Sequence, residues 1–110
     1  MAGMSEGPTS PEPFSARLTI KNCGKRPRVV WMEPLPDDFT LLPNEELEIV
    51  VRDPEKVPSF SIDESDGPTQ SATQVYADQS DCYDYDVIQN GVKLKSGHNR
   101  QAAIDAGLEM

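Results

Sequence analysis

The chain has 110 residues and a mass of 12.1 kDa, which suits a single small domain. Its net charge of −9 and pI near 4.4 disfavour contact with a phosphate backbone, so we expect no nucleic-acid partner. No apolar run approaches the roughly 18 residues of a membrane helix, and residues 1–8 lack the pattern of a secretion signal. We therefore expect a cytoplasmic protein with no membrane partner.

The first third of the chain predicts a flexible tail followed by two strands. Residues 1–15 are rich in proline, glycine and serine, a composition typical of disorder, and the domain is expected to span residues 16–96. Leu18 and Ile20 alternate with polar residues and predict the first strand. Residues 22–25 predict a turn in which Gly24 is free to adopt a positive φ, and the second strand follows at residues 28–33.

The middle of the chain alternates proline-containing loops with short strands. Residues 34–38 contain two prolines and predict a loop before an extended piece at residues 39–41. Pro43, at the second position of the next turn, favours type I geometry. Leu47 and Ile49 then alternate with glutamates and predict another strand.

The last part of the chain contains the best local turn signal. Phe60 and Ile62 indicate one strand, and residues 73–77 a weaker one. The dipeptide 90–91 is Asn-Gly, which predicts a type I′ hairpin in which Val87 faces Leu94. Residues 97–110 are expected to be a tail or a short terminal helix that begins after Asn99 as its cap.

Together these elements predict an all-β protein with flexible termini. About seven short strands, with no helix between them, favour a small antiparallel β-sandwich of Greek-key or cupredoxin-like form. A monomer is the favoured oligomeric state. The expected core draws on twelve apolar residues of these strands: Leu18, Ile20, Val30, Trp31, Leu47, Ile49, Phe60, Ile62, Val75, Tyr85, Val87 and Leu94.

Three segments carry a resemblance to known proteins. They are Ile20-Lys21-Asn22, the Trp-x-Glu-Pro strand at 28–34, and the Leu-Pro-x-Glu turn with the strand after it at 39–50. This run is similar to small, uncharacterised bacterial all-β proteins. The resemblance implies a β-sandwich and no activity. The chain departs from that pattern at Asn44, where glycine is expected, but asparagine tolerates the same positive φ.

The residues that could carry metal or redox chemistry are few. The two cysteines, Cys23 and Cys82, are expected to be unpaired thiols, because the chain shows no secretion signal; the alternative is one disulfide between them. His98 is the sole histidine, which is too few for blue copper, for ordinary structural zinc or for a His-dependent triad. The acidic runs 63–67 and 78–86 do not match an EF-hand and are interpreted as outward-facing acids, with calcium as the alternative. We expect no cofactor.

Catalysis is not expected from the remaining motifs. Glu33 beside Asp37 and Asp38 is the one carboxylate set considered for acid–base chemistry, and nothing in the sequence predicts a cleft around it. The chain contains neither a phosphate-binding glycine loop nor a nucleophile elbow. The sequence therefore favours a protein that is not an enzyme.

Charge is distributed unevenly along the chain. Residues 17–28 contain five basic and no acidic residues, whereas residues 33–86 contain fifteen acidic and two basic ones. The acidic stretch is either a solvated face or a docking surface for a basic partner.

The apolar residues around the 34–38 loop, ringed by acids, form the predicted protein-contact surface: Trp31, Glu33, Leu35, Asp37, Asp38 and Phe39. We interpret the protein as a non-enzymatic binding module for an unidentified protein. The alternative is an acidic inhibitor or immunity-type protein that neutralises a basic enzyme.

Overall fold

The computed structural model describes residues 16–33, 37–51, 60–77 and 85–110, which contain eight strands and one helix. The strands are β1 (Ala16–Lys21), β2 (Arg28–Glu33), β3 (Asp37–Leu41), β4 (Glu46–Val51), β5 (Phe60–Gly67), β6 (Gln70–Ala77), β7 (Tyr85–Gln89) and β8 (Val92–Lys93). Helix α1 spans Arg100–Asp105. The tail predicted at residues 1–15 lies outside the described residues.

The strands form two four-stranded sheets, as expected for a β-sandwich. Sheet A has the order β1-β4-β7-β8, and sheet B has the order β3-β2-β6-β5. Each strand of sheet A is antiparallel to its neighbours, with Leu18 opposite Ile49 and Ile49 opposite Val87. The predicted all-β fold is confirmed.

One pairing in sheet B departs from the antiparallel prediction. β2 runs parallel to β6, with Val30 opposite Thr73 and Met32 opposite Val75. The two strands on the edges of this sheet, β3 and β5, are antiparallel to their neighbours. Sheet B is therefore mixed, and its parallel pair joins two strands that are separated in the chain by β3, β4 and β5.

The main core lies between the sheets and is built by alternation along each strand. It comprises the buried side chains Ile20, Val30, Met32, Phe39, Leu41, Leu47, Ile49, Val75 and Val87, with Leu18, Phe60, Tyr85 and Leu94 packed against them. The core prediction is wrong for Ile62 and Trp31. Ile62 lies on the edge strand β5 and is 45% exposed, and Trp31 is half-buried on the other face of sheet B. Alternation identifies the face of a strand, but an edge strand has less of the opposite sheet to cover it.

A second apolar cluster covers part of the outer face of sheet B. Val29, on the outer side of β2, packs with Ala103 of α1 and with Leu108, and Trp31 lies against them. The terminal helix is therefore a packed element. Asn99 is the N-cap residue, as predicted, but it has a left-handed φ of 53° and makes no side-chain capping bond. α1 is the one helix of the described residues, and its six residues are too few to cross a membrane.

The turns are set by residues with positive φ. Asn44 has a φ of 71°, so the turn that follows Pro43 is of type II and not the predicted type I. Asn90 and Gly91 both have positive φ, which confirms the type I′ hairpin. Gly24 does not adopt a positive φ. Its backbone amide donates a hydrogen bond to the Asn22 Oδ1 at 2.9 Å, so the Asn22 side chain stabilises this turn.

Candidate functional site

Two arginines of the basic stretch fasten the β5–β6 hairpin to the rest of the domain. Arg26 donates to the carbonyls of Gly67 and Gln70, and to that of Pro68 at 3.1 Å. These three carbonyls belong to the turn between β5 and β6. Arg26 is thus used within the fold and is not displayed for a partner.

Arg28 performs the same task from the end of β2. Its Nε donates to the Thr73 Oγ1 at 2.7 Å, and its Nη2 donates to the Ala72 carbonyl at 2.9 Å. Its Nη1 lies 2.8 Å from the Asp66 Oδ1, and this bond holds the pKa of Asp66 below its usual range. Two of the five basic residues in the stretch 17–28 therefore make contacts with β5 and β6.

The sequence predicted that Asp38 lies in a loop at residues 34–38, and this prediction is wrong. Asp38 lies in β3, is 2% exposed, and receives two hydrogen bonds from Arg100 of α1. The Asp38 carboxylate raises the pKa of the Arg100 guanidinium. Because Asp38 is buried and fully engaged, it cannot meet a partner directly, and its role is to hold α1.

The neighbours of Asp38 in β3, Asp37 and Phe39, lie on the opposite side of the strand, which faces sheet A. The Asp37 Oδ2 accepts a hydrogen bond from the Tyr85 hydroxyl at 2.7 Å, which links sheet B to sheet A. Burial, reinforced by this hydrogen bond to Asp37, raises the pKa of Tyr85. Phe39 is buried in the main core. Leu35 lies outside the described residues.

Trp31 and Glu33 are predicted contact residues that stay partly accessible on the side of β2 away from the main core. They alternate with the core residue Met32, so they lie on the outer face of sheet B. Both are half-buried. α1 and Leu108 bury the neighbouring Val29, and Trp31 packs at the border of this covered region.

The rest of that outer face comes from β6 and β5, which the sequence did not indicate as contact strands. Gln74 lies between Trp31 and Asp63, and Tyr76 lies between Glu33 and Ser61. Tyr76 is 37% exposed although it stands on an inner strand of the sheet. We call this surface the open face; its members are Trp31, Glu33, Asp63, Gln74 and Tyr76.

The signal that identifies the open face is weak in the sequence alone. The strand predicted at residues 73–77 places Val75 and Tyr76 on opposite faces, but this local pattern does not reveal that β6 pairs with β2. Only this parallel register brings Tyr76 beside Glu33. The pairing partner is more than one strand away in the chain, so no local pattern predicts it.

The edges of sheet B differ in how they are covered. The free side of β3 is occupied, because Thr40 donates to the His98 carbonyl at 2.8 Å and Gly97 donates to the Asp38 carbonyl at 2.7 Å. β5 forms the other edge and has β6 as its one strand neighbour within the described residues. The accessible edge therefore adjoins the open face.

The remaining candidate groups do not assemble into a site. Within residues 16–33, 37–51, 60–77 and 85–110, no three His, Cys, Asp or Glu side chains are grouped so as to hold a metal ion. Cys23 is an exposed free thiol beside a shallow cleft that Lys21 and Glu64 also line. Cys82 and most of the acidic run 78–86 lie outside the described residues.

Comparison with known proteins adds no relative. Neither a protein-family model, nor a curated protein, nor a solved structure matches this chain.

Proposed function

We propose that this protein is a non-enzymatic protein-binding module that docks a basic partner on its open face. The observation that carries this proposal is the exposure of Tyr76 on an inner strand, at the position paired with Glu33 of β2. Aromatic side chains with accessible faces are enriched where proteins bind each other. The module is further proposed to act as a monomer in the cytoplasm.

The charges on the open face favour a basic partner. Glu33 and Asp63 make no ion pair with the described residues. Sheet A differs, because Arg17 lies 3.5 Å from Glu48 and Lys93 lies 3.0 Å from Asp86. A cationic side chain on the open face would meet two uncompensated carboxylates and the ring of Tyr76, which together suit lysine or arginine.

Site-specific cross-linking would test the proposal. Tyr76 is replaced by the photoreactive p-benzoylphenylalanine, and the cross-linked partner is identified from the native host and purified. Its Kd is then measured against the wild type and against Glu33→Gln, Asp63→Asn and Tyr76→Ala. Because these side chains form the proposed contact, each variant should bind roughly tenfold more weakly.

Two variants serve as matched controls for that experiment. Asp105→Asn removes an exposed carboxylate on α1, and Ile104→Ala removes an exposed apolar side chain that is 49% accessible. Both should bind the partner as the wild type does. Equal affinity of all five variants would contradict the proposed binding face.

The acidic β5–β6 hairpin supports a second candidate function, that of an acidic inhibitor of a basic enzyme. Residues 60–77 contain three carboxylates and no basic residue, a composition that suits mimicry of an anionic substrate. If the purified partner is an enzyme, its activity should fall as this protein is added, and Asp63→Asn should weaken that inhibition. A partner whose activity is unaffected would favour simple docking.

A further inference from the structure

We propose that the outer edge of β5 is a strand-addition site for an extended, lysine- or arginine-bearing segment of the partner protein. This inference rests on the proposed function and adds the mode of binding: the segment would form main-chain hydrogen bonds with β5 and extend sheet B by one strand. Its side chains would then continue the open face.

The geometry of β5 supports strand addition. β5 is eight residues long, and among the described residues only β6 pairs with it. Every edge strand presents N–H and C=O groups on its unpaired side, and these groups can form a ladder with an added strand. The other edges are less suitable. Gly97 and His98 already form hydrogen bonds with the edge of β3, and β8 is only two residues long.

The charge pattern of β5 selects the chemistry of the segment. Asp63 points to the outer face of sheet B, whereas Ile62, Glu64 and Asp66 alternate with it on the other side. Glu64 and Asp66 are partly balanced by Arg28, but Asp63 has no cationic neighbour among the described residues. A basic side chain directly across from Asp63 would therefore form a favourable cross-strand pair.

The same charges argue against two other arrangements. A second copy of this chain pairing through β5 would bring carboxylates of two copies together, and like charges across a strand pair are destabilising. The strand β1, which pairs with β4 alone among the described residues, carries Arg17 and Lys21, which would repel a basic segment. β5 is thus the edge that fits this partner.

The test uses a capped nine-residue peptide of alternating lysine and valine, titrated into the full-length ¹⁵N-labelled protein. The expected result is a set of amide shifts over residues 62–67, together with slower hydrogen exchange there. A peptide of the same sequence with methylated backbone amides keeps its charge but cannot form the ladder, so its affinity should be at least roughly fivefold lower.

Variants connect that binding to β5. Asp63→Asn should weaken binding of the unmethylated peptide roughly fivefold, and Asp105→Asn should leave it unchanged. Shifts confined to β1, undetectable binding, or equal binding of the methylated peptide would each overturn strand addition. None of these results would overturn the proposed function, which is judged separately by the Tyr76 cross-link and the partner's Kd.

Discussion

Arg100 binds Asp38 through two parallel hydrogen bonds, from Nη2 to Oδ1 at 2.6 Å and from Nε to Oδ2 at 3.0 Å. The acceptor is buried in β3 and the donor begins the terminal helix. A helix of six residues is too short to be stable alone in water. Its place on sheet B therefore depends on this pair and on the burial of Ala103 and Leu108.

Removing the Arg100 side chain should release the terminal helix. Arg100→Met leaves the Asp38 carboxylate buried without a countercharge, which is costlier than breaking an exposed pair. In a double-mutant cycle measured by urea unfolding, the coupling of Arg100 with Asp38 should be roughly twice that of Arg17 with Glu48, or more. Equal couplings would show that Asp38 is not the anchor of the helix.

Tyr85 should make stability fall at alkaline pH. Burial and Asp37 raise the pKa of Tyr85 in the folded state, while the unfolded chain releases this proton near pH 10. The contribution of the neutral Tyr85 hydroxyl to the free energy of unfolding is therefore complete below about pH 10 and is lost as the pH rises above it.

The variant Tyr85→Phe isolates that effect. At pH 7 it should be about 1 kcal/mol less stable than the wild type, because Asp37 loses a hydrogen-bond donor. The difference should shrink between about pH 10 and 11, where only the wild type is penalised. Urea unfolding at several pH values measures this, and a constant difference would contradict the assignment.

Arg28 should not be replaceable by lysine. Its guanidinium serves Thr73, Ala72 and Asp66 at once, which a single ammonium group cannot do. Arg28→Lys should therefore cost about 2 kcal/mol or more in the free energy of unfolding. Lys25→Arg, at an exposed position, is the control and should be neutral. A neutral Arg28→Lys would mean that the β5–β6 hairpin is held by other contacts.

Asn44 offers a test of turn geometry. With a φ of 71°, Asn44→Gly should match or slightly exceed the wild-type stability, whereas Asn44→Ala should lose about 1 kcal/mol. Thermal unfolding of the three proteins would show this order. If alanine were tolerated as well as glycine, the turn would not require the left-handed conformation.

Binding of the partner should depend on salt through its association rate. Raising the salt concentration from about 0.05 to 0.5 M shortens the Debye length from roughly 14 to 4 Å. Association should then slow about tenfold while dissociation changes less. Stopped-flow measurements should give a smaller salt effect for the double variant Glu33→Gln/Asp63→Asn, and an unaltered salt effect would exclude these carboxylates as steering groups.

The sequence predicted the strands well where the two signals it uses, side-chain alternation and turn residues, are local. Alternation located β1 and β4, and the Asn90-Gly91 turn set the register of β7 and β8. It failed at Ile62, because local alternation does not tell an edge strand from a covered one. It also missed the burial of Asp38, since the compensating charge of Arg100 comes from a distant part of the chain.

The candidate site was predicted only in part for the same reason. Trp31 and Glu33 were identified from their own strand, and both lie on the open face. Tyr76 and Asp63 join them through non-local pairing, which leaves no local mark on the sequence. Phe39 was assigned to the contact surface because it is apolar and near prolines, but the sandwich buries it.

The parallel pairing of β2 with β6 also bears on how the chain reaches this structure. The hairpins β5–β6 and β7–β8 close short loops, so their contacts can form in microseconds. Pairing of Val30 with Thr73 closes a much longer loop. The entropy lost in closing this loop is offset only after the hydrogen bonds between β2 and β6 have formed. Refolding should therefore take milliseconds to seconds, limited by the docking of a preformed β5–β6 hairpin onto β2.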